Sequence, residues 1–208
     1  TIHTPLNLNG IDKTYHLFNN ENLNKLKNGT VLINSSRGAV VNNSDLLNSI
    51  KKKKLKVVLD VWENEPDINV ELLKIVLVGT PHIAGYSYEG KVNGTKMIYD
   101  SLCEFLEMEK TFSFGLPSPL NSKLRFINSD KIETAMENLV STIYSIKNDD
   151  IKMREMIMMD IDDRIKHFDL QRKNYPQRRE FNNYTIDASN QSKSRKDTLK
   201  KLRFNLST

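Results

Sequence analysis

The sequence predicts an α/β fold, a parallel sheet with helices packed on it, followed by a smaller α+β domain. Three observations point there. Short runs rich in Val, Ile and Leu recur up to about residue 85, and amphipathic helical stretches lie between them. Beyond a Gly-Leu-Pro-Ser-Pro segment at residues 115–119 the character of the chain changes. Apolar runs that do not alternate with polar residues are what strands covered on both faces look like, as in parallel sheets.

The elements follow in order. Asn20 to Lys27 puts Leu23 and Leu26 on one helical face, with Gly29 just beyond its end. Thr30 to Asn34 reads as the first buried strand. Ser44 is a suitable N-cap for a helix over Asp45 to Ile50, because its hydroxyl can accept an orphan backbone N–H. Lys56 to Trp62 and Ile75 to Gly79 read as the second and third strands. Strand, helix, strand is the grammar of a βαβ sheet with right-handed crossovers. A longer helical pattern runs from Glu89 to about Leu106, and residues 115–119 form a linker by composition. Asp130 is placed to cap a helix carrying Ile132, Met136, Leu139, Val140 and Ile143 on one face. An apolar-rich helix is expected around Ile151 to Met159, a strand over Tyr184 to Asp187, and a short basic helix around Thr198 to Leu202.

Composition narrows the function classes. The 208 residues carry 31 Lys and Arg against 26 Asp and Glu, a net charge of +5. The excess sits in local runs at Lys51–Lys54, Arg178–Arg179 and Lys193–Arg203, which read as solvated helix faces. Aromatic residues are not interleaved with them as in a stacking platform, so no nucleic-acid partner is expected. No apolar run approaches the ~20 residues of a spanning helix, so no membrane partner is expected either. The one cysteine, Cys103, excludes an internal disulfide and a zinc site built on paired cysteines, and no metal is expected. A reducing, cytoplasmic location is the matching expectation.

In parallel sheets ligands collect at the carboxyl ends of the strands. The residues that follow the three strands are therefore the candidates: Ser35-Ser36-Arg37-Gly38, Asp60 to Pro66, and Thr80 to Tyr86. Among them Arg37 can hold a carboxylate or phosphate by two parallel hydrogen bonds. His82 can move a proton to or from a hydroxyl near neutral pH, and Glu65 can orient it. Together they suit oxidation of a 2-hydroxy acid. Each also has a plainer reading: Arg37 as a strand-end residue, Glu65-Pro66 as a turn, His82 as a loop histidine.

Four segments resemble the signatures of the D-isomer-specific 2-hydroxyacid dehydrogenases: His3-Thr4-Pro5-Leu6, Ile33 to Val41, Leu59 to Pro66, and Thr80 to Gly85. The resemblance extends over most of the chain, including Arg172 to Pro176 and Arg178 to Phe181. It implies that Arg37, Glu65 and His82 are catalytic. It also implies that Thr4, Ser35, Ser36, Arg37, Asp60 and Gly85 contact NAD and that Tyr86 contacts a small, phosphorylated hydroxy-acid substrate. By this resemblance residues 1–84 are the second half of a Rossmann-type NAD-binding domain. Residues 85–115 form a helix and linker leading back towards a substrate domain, and residues 116–208 form a C-terminal domain through which a homodimer assembles. Ser36 stands where Cys is common in the family and Asn42 where Asp is. No G-x-G-x-x-G turn for a pyrophosphate occurs in the chain. The resemblance therefore implies the C-terminal portion of a longer enzyme, with weak NAD binding by this portion alone.

Overall fold

Strands β1 (Val31–Asn34), β2 (Lys56–Leu59) and β3 (Val78–Gly79) form a parallel sheet in the order β1-β2-β3. The computed structural model describes residues 1–113 and 115–207. Val31 lies opposite Lys56, and Val58 opposite Val78. Ile2 extends the pairing on the other side of β1 through a parallel bridge to Asn34. All carboxyl ends therefore open on one edge.

Helices α1 (Asn20–Asn24), α2 (Asn43–Lys53) and α3 (Val70–Ile75) flank the sheet. Each is capped by an asparagine whose side-chain oxygen accepts a backbone N–H: Asn19 from Asn22, Asn42 from Asp45, Asn69 from Leu72. An unmade cap of this kind costs about 1 kcal/mol. The cap of α2 is Asn42 rather than Ser44, because the helix begins two residues earlier than expected. The predicted third strand, Ile75 to Gly79, is shorter than expected: Ile75 ends α3, and Val76 and Leu77 lie outside any strand. Leu72 and Leu73 are fully buried on α3, and only Val78–Gly79 pair with β2. The second strand also ends early, at Leu59, which releases Asp60, Val61 and Trp62 into a loop.

The chain divides into two compact units. The first comprises residues 1–84 and 146–175, and the second residues 85–145 and 176–208. The sequence groups residues 146–175 with the C-terminal domain, yet they share the first unit's core. Helices α6 (Ile146–Glu155) and α7 (Ile161–Lys173) supply Met153 and Phe168, and Met156 follows α6 directly. These join Leu23, Leu46, Leu59, Leu72 and Leu73 at or near complete burial. Asp150 on α6 accepts the Gly79 N–H at the end of β3, 2.7 Å away. Arg154 donates to the Leu73 and Val76 carbonyls at 2.8 and 2.9 Å, closing the end of α3.

The second unit has its own three-stranded parallel sheet, β4 (Lys123–Arg125), β5 (Thr185–Asp187) and β6 (Asn205–Ser207), in that order. Helices α5 (Ile132–Ile143) and α8 (Lys193–Lys201) pack on it. Phe126, Leu139, Ile186, Leu199 and Phe204 form its core, and Phe181 stacks on Phe204 at 4.8 Å. Helix α4 (Tyr88–Phe105) opens this unit and is capped by Ser87. Helix α5 starts at Ile132 after Lys131, not from a cap at Asp130. Among the described residues no helix is long and apolar enough to cross a membrane.

Candidate active site

The loop after β1 is built on Asn34, which is fully buried at the strand's end. Its side-chain oxygen accepts the Ser36 N–H and hydroxyl at 3.1 and 2.9 Å, while its amide donates to the Arg37 carbonyl at 3.0 Å. This folds Ser35-Ser36-Arg37 outwards and leaves Arg37 exposed, with Nη1 donating to the Ser36 carbonyl at 2.6 Å. Thr4 follows the Ile2 bridge on the neighbouring chain segment, and its buried hydroxyl has no hydrogen-bond partner. Buried hydroxyls are ordinarily satisfied.

The loop after β2 rests against this one. A Cβ on Gly38 would lie 1.8 Å from the Trp62 carbonyl oxygen, so only glycine permits the approach. Trp62 is buried, and its indole N–H donates to the Thr80 carbonyl at 3.0 Å. Asp60 is buried and accepts from the Thr80 hydroxyl (2.6 Å), the Ile83 N–H (2.8 Å) and the Ala84 N–H (2.9 Å). A carboxylate has about four acceptor positions, so one remains. Asp60 therefore anchors the loop that carries His82.

Glu65 and His82 meet. Glu65 Oε1 accepts the Trp62 N–H at 2.7 Å, and Oε2 lies 2.8 Å from His82 Nδ1. A carboxylate only accepts, so Nδ1 carries the proton in the neutral ring and Nε2 presents a lone pair. His82 keeps 32% of its side-chain surface exposed and Glu65 18%, so the dyad is reachable but its carboxylate is sheltered. A carboxylate–imidazole pair with a free far nitrogen is an arrangement for taking a proton from, or returning it to, a hydroxyl. His82 adopts φ +55°, a left-handed conformation that its loop's hydrogen bonds impose.

Beside this dyad lies a second His–Glu pair that sequence reasoning missed. His16 Nε2 is 2.5 Å from Glu63 Oε1, and Glu63 Oε2 accepts the Asn43 N–H at 2.6 Å. His16 Nδ1 faces the Asn42 amide nitrogen at 3.3 Å, and Tyr15 stacks on the ring at 3.9 Å. Forty-seven residues separate the partners, and no local pattern links them. Asn34 and Trp62 were also missed; a polar residue closing an apolar strand was the available signal for Asn34.

Gly85 and Tyr86 belong to the second unit. Gly85 is exposed, and Lys91 Nζ sits 4.5 Å from the Tyr86 ring centre. In the same unit Glu89 and Arg179 form a buried ion pair, joined by the Glu180 N–H and the Asn183 amide, each 2.9 Å from Glu89. Burial pushes the Glu89 carboxyl up, but the hydrogen bonds from Arg179 and the backbone outweigh it and hold it below its ordinary value. Burial raises the Tyr184 hydroxyl nearby. Among the described residues no cluster of His, Cys, Asp and Glu could hold a metal ion.

A family model for the D-isomer specific 2-hydroxyacid dehydrogenase NAD binding domain matches residues 1–84, and one for a domain of unknown function matches residues 116–202. An erythronate-4-phosphate dehydrogenase of Proteus mirabilis (strain HI4320) is 40% identical over 193 residues, covering 91% of this chain and 50% of its own length. That of Cellvibrio japonicus (strain Ueda107) is 39% identical over 217 residues, covering 98% of this chain and 56% of its own. The solved glyoxylate reductase of Paecilomyes thermophila aligns over 50% of this chain and 31% of its own at 31% identity, with a TM-score of 0.43. The chain spans about half the length of the curated relatives it matches, and the match falls on their C-terminal half.

Proposed function

We propose, for a chain whose residues 1–84 match the D-isomer specific 2-hydroxyacid dehydrogenase NAD binding domain, that it carries the proton-handling half of an erythronate-4-phosphate dehydrogenase. The reaction is the oxidation of 4-phospho-D-erythronate to (R)-3-hydroxy-2-oxo-4-phosphooxybutanoate, a step towards pyridoxal 5′-phosphate. The observation that carries this reading is the Glu65–His82 contact, which leaves His82 Nε2 open to a substrate hydroxyl.

His82 Nε2 takes the hydroxyl proton as the C2–H bond is broken. Glu65 keeps the ring in the required tautomer and stabilises the imidazolium that forms, as the aspartate does in hydrolase triads. Arg37, exposed after β1, presents a planar fork that matches the substrate carboxylate and fixes the C2 hydroxyl relative to His82. NAD, when bound, supplies the hydride acceptor. The unpartnered Thr4 hydroxyl fits that cofactor, because it is a buried polar group at the carboxyl edge of the sheet that awaits a partner. Ser35, Ser36, Arg37, Asp60 and Gly85 complete the proposed set around it, and Tyr86 is proposed to contact the substrate. Residues 116–208 are proposed to form the interface of a homodimer, in a cytoplasmic enzyme.

Substrate profiling of the complete enzyme tests this reading. A preference for 4-phospho-D-erythronate over 3-phospho-D-glycerate is expected. The reverse preference would place the chain in the phosphoglycerate branch instead.

A further inference from the structure

We infer that His16 and Glu63 are positioning residues: they form a clasp that holds the 60–66 loop in the conformation from which Glu65 engages His82. The inference rests on the reading of Glu65–His82 as the proton-handling pair.

The clasp ties three chain segments that meet at the carboxyl edge of the first sheet. From the segment preceding α1, the His16 ring reaches Glu63, and the His16 N–H donates to the Ala39 carbonyl at 2.8 Å. From the loop after β2, Glu63 accepts at both carboxylate oxygens, from His16 and from the first N–H of α2 at Asn43. From the start of α2, the Asn42 oxygen is committed to the Asp45 N–H, so the amide nitrogen must face His16 Nδ1. That nitrogen donates, so Nδ1 accepts and the His16 proton sits on Nε2, pointing at Glu63. The network is satisfied in one arrangement only.

Glu63 and Glu65 are two residues apart, and Asn64 between them is left-handed at φ +59°, as is His16 at φ +52°. Such backbones persist where surrounding contacts over-determine them. On one side of Asn64 the contact is Glu65 to Trp62 and His82, and on the other it is Glu63 to His16 and Asn43. Releasing Glu63 removes the restraint on one side of the turn. Glu65 then loses its fixed placement opposite Nδ1, while Asp60 and Trp62, which anchor the loop elsewhere, stay in place.

The test reads which ring nitrogen of His82 carries the proton, by multiple-bond nitrogen-15 spectroscopy of the 208-residue chain at a pH well above the ordinary imidazole value of about 6.5. Two variants release the clasp. Glu63→Gln has one acceptor oxygen where two donors must be met, so one contact is lost. His16→Asn tolerates the left-handed backbone but ends short of Glu63. The wild-type chain is expected to show His82 as the Nδ1–H form alone. Both variants should lose that exclusivity and show the Nε2–H form as well, with melting temperatures that still report a folded chain. A folded variant with an unchanged His82 signature would overturn the clasp and leave the dyad standing. A wild-type His82 without the Nδ1–H preference would overturn the dyad itself. If both variants unfold, the pair is purely structural and the inference is overturned.

Discussion

Replacing Gly38 by alanine probes the contact that joins the two loops of the candidate site. The added Cβ would meet the Trp62 carbonyl oxygen at 1.8 Å, its carbon at 2.0 Å and the Glu63 nitrogen at 2.6 Å. These are backbone atoms, so no side chain can swing away. The 62–63 peptide must retreat by roughly 1.5 Å to reach ordinary contact distance. Trp62 is held by its N–H to Glu65 and its indole to Thr80, so the movement breaks both hydrogen bonds. Two lost hydrogen bonds at about 1 kcal/mol each, added to about 1–3 kcal/mol for overpacking, give about 3–5 kcal/mol. Trp62 is the only tryptophan in the chain, so urea unfolding followed by its fluorescence reports on this very place. The midpoint should fall well below that of the wild type, with red-shifted emission already in buffer. Gly94→Ala is the control: it meets nothing within 4 Å on helix α4 and should be neutral or stabilising by up to about 1 kcal/mol. A Gly38→Ala chain with an unchanged midpoint and emission would refute the packing described between the two loops.

Three further outcomes are expected. Arg37→Lys in the complete enzyme should raise the substrate KM more than it changes NAD affinity, because a point charge replaces a two-pronged donor; steady-state kinetics and cofactor titration read the two apart. Glu89 has a folded value below its ordinary 4.5, so its stabilisation is present above that pH and is lost as the pH falls through the lower folded value. Glu89→Gln should therefore cost about 3–5 kcal/mol near neutrality, by leaving the buried Arg179 charge without its carboxylate, and should flatten the acid-side fall in melting temperature. Isothermal titration of this chain with NAD should show no micromolar binding, because no G-x-G-x-x-G turn is present to hold the pyrophosphate; a micromolar isotherm would contradict that.

Much of the first unit was legible. Strand β1 and the start of β2 show as continuous apolar runs, and the three catalytic candidates follow from where parallel strands end. The third strand is shorter than its apolar run, because Ile75 closes α3 and only Val78–Gly79 pair with β2; the end of the helix and the strand share one continuous apolar stretch. Asn42 outcompeted Ser44 as a cap through a tertiary choice: the helix starts early enough to give its first N–H to Glu63. Strands β4 and β6 have three residues each, too few for a periodicity to register. The packing of residues 146–175 on the first unit rests on long-range contacts such as Asp150 to Gly79, 71 residues apart. The His16–Glu63 pair was invisible for the same reason. Asp60 also anchors the 80–84 loop, a role that only the hydrogen bonds around it reveal.

The most direct measurement of the central claim is NADH formation from 4-phospho-D-erythronate by the complete native enzyme, beside its His82→Asn variant. The account predicts turnover by the wild type and a loss of about 100- to 10,000-fold in the variant, with NAD affinity retained. Undiminished turnover by the His82→Asn enzyme would contradict it.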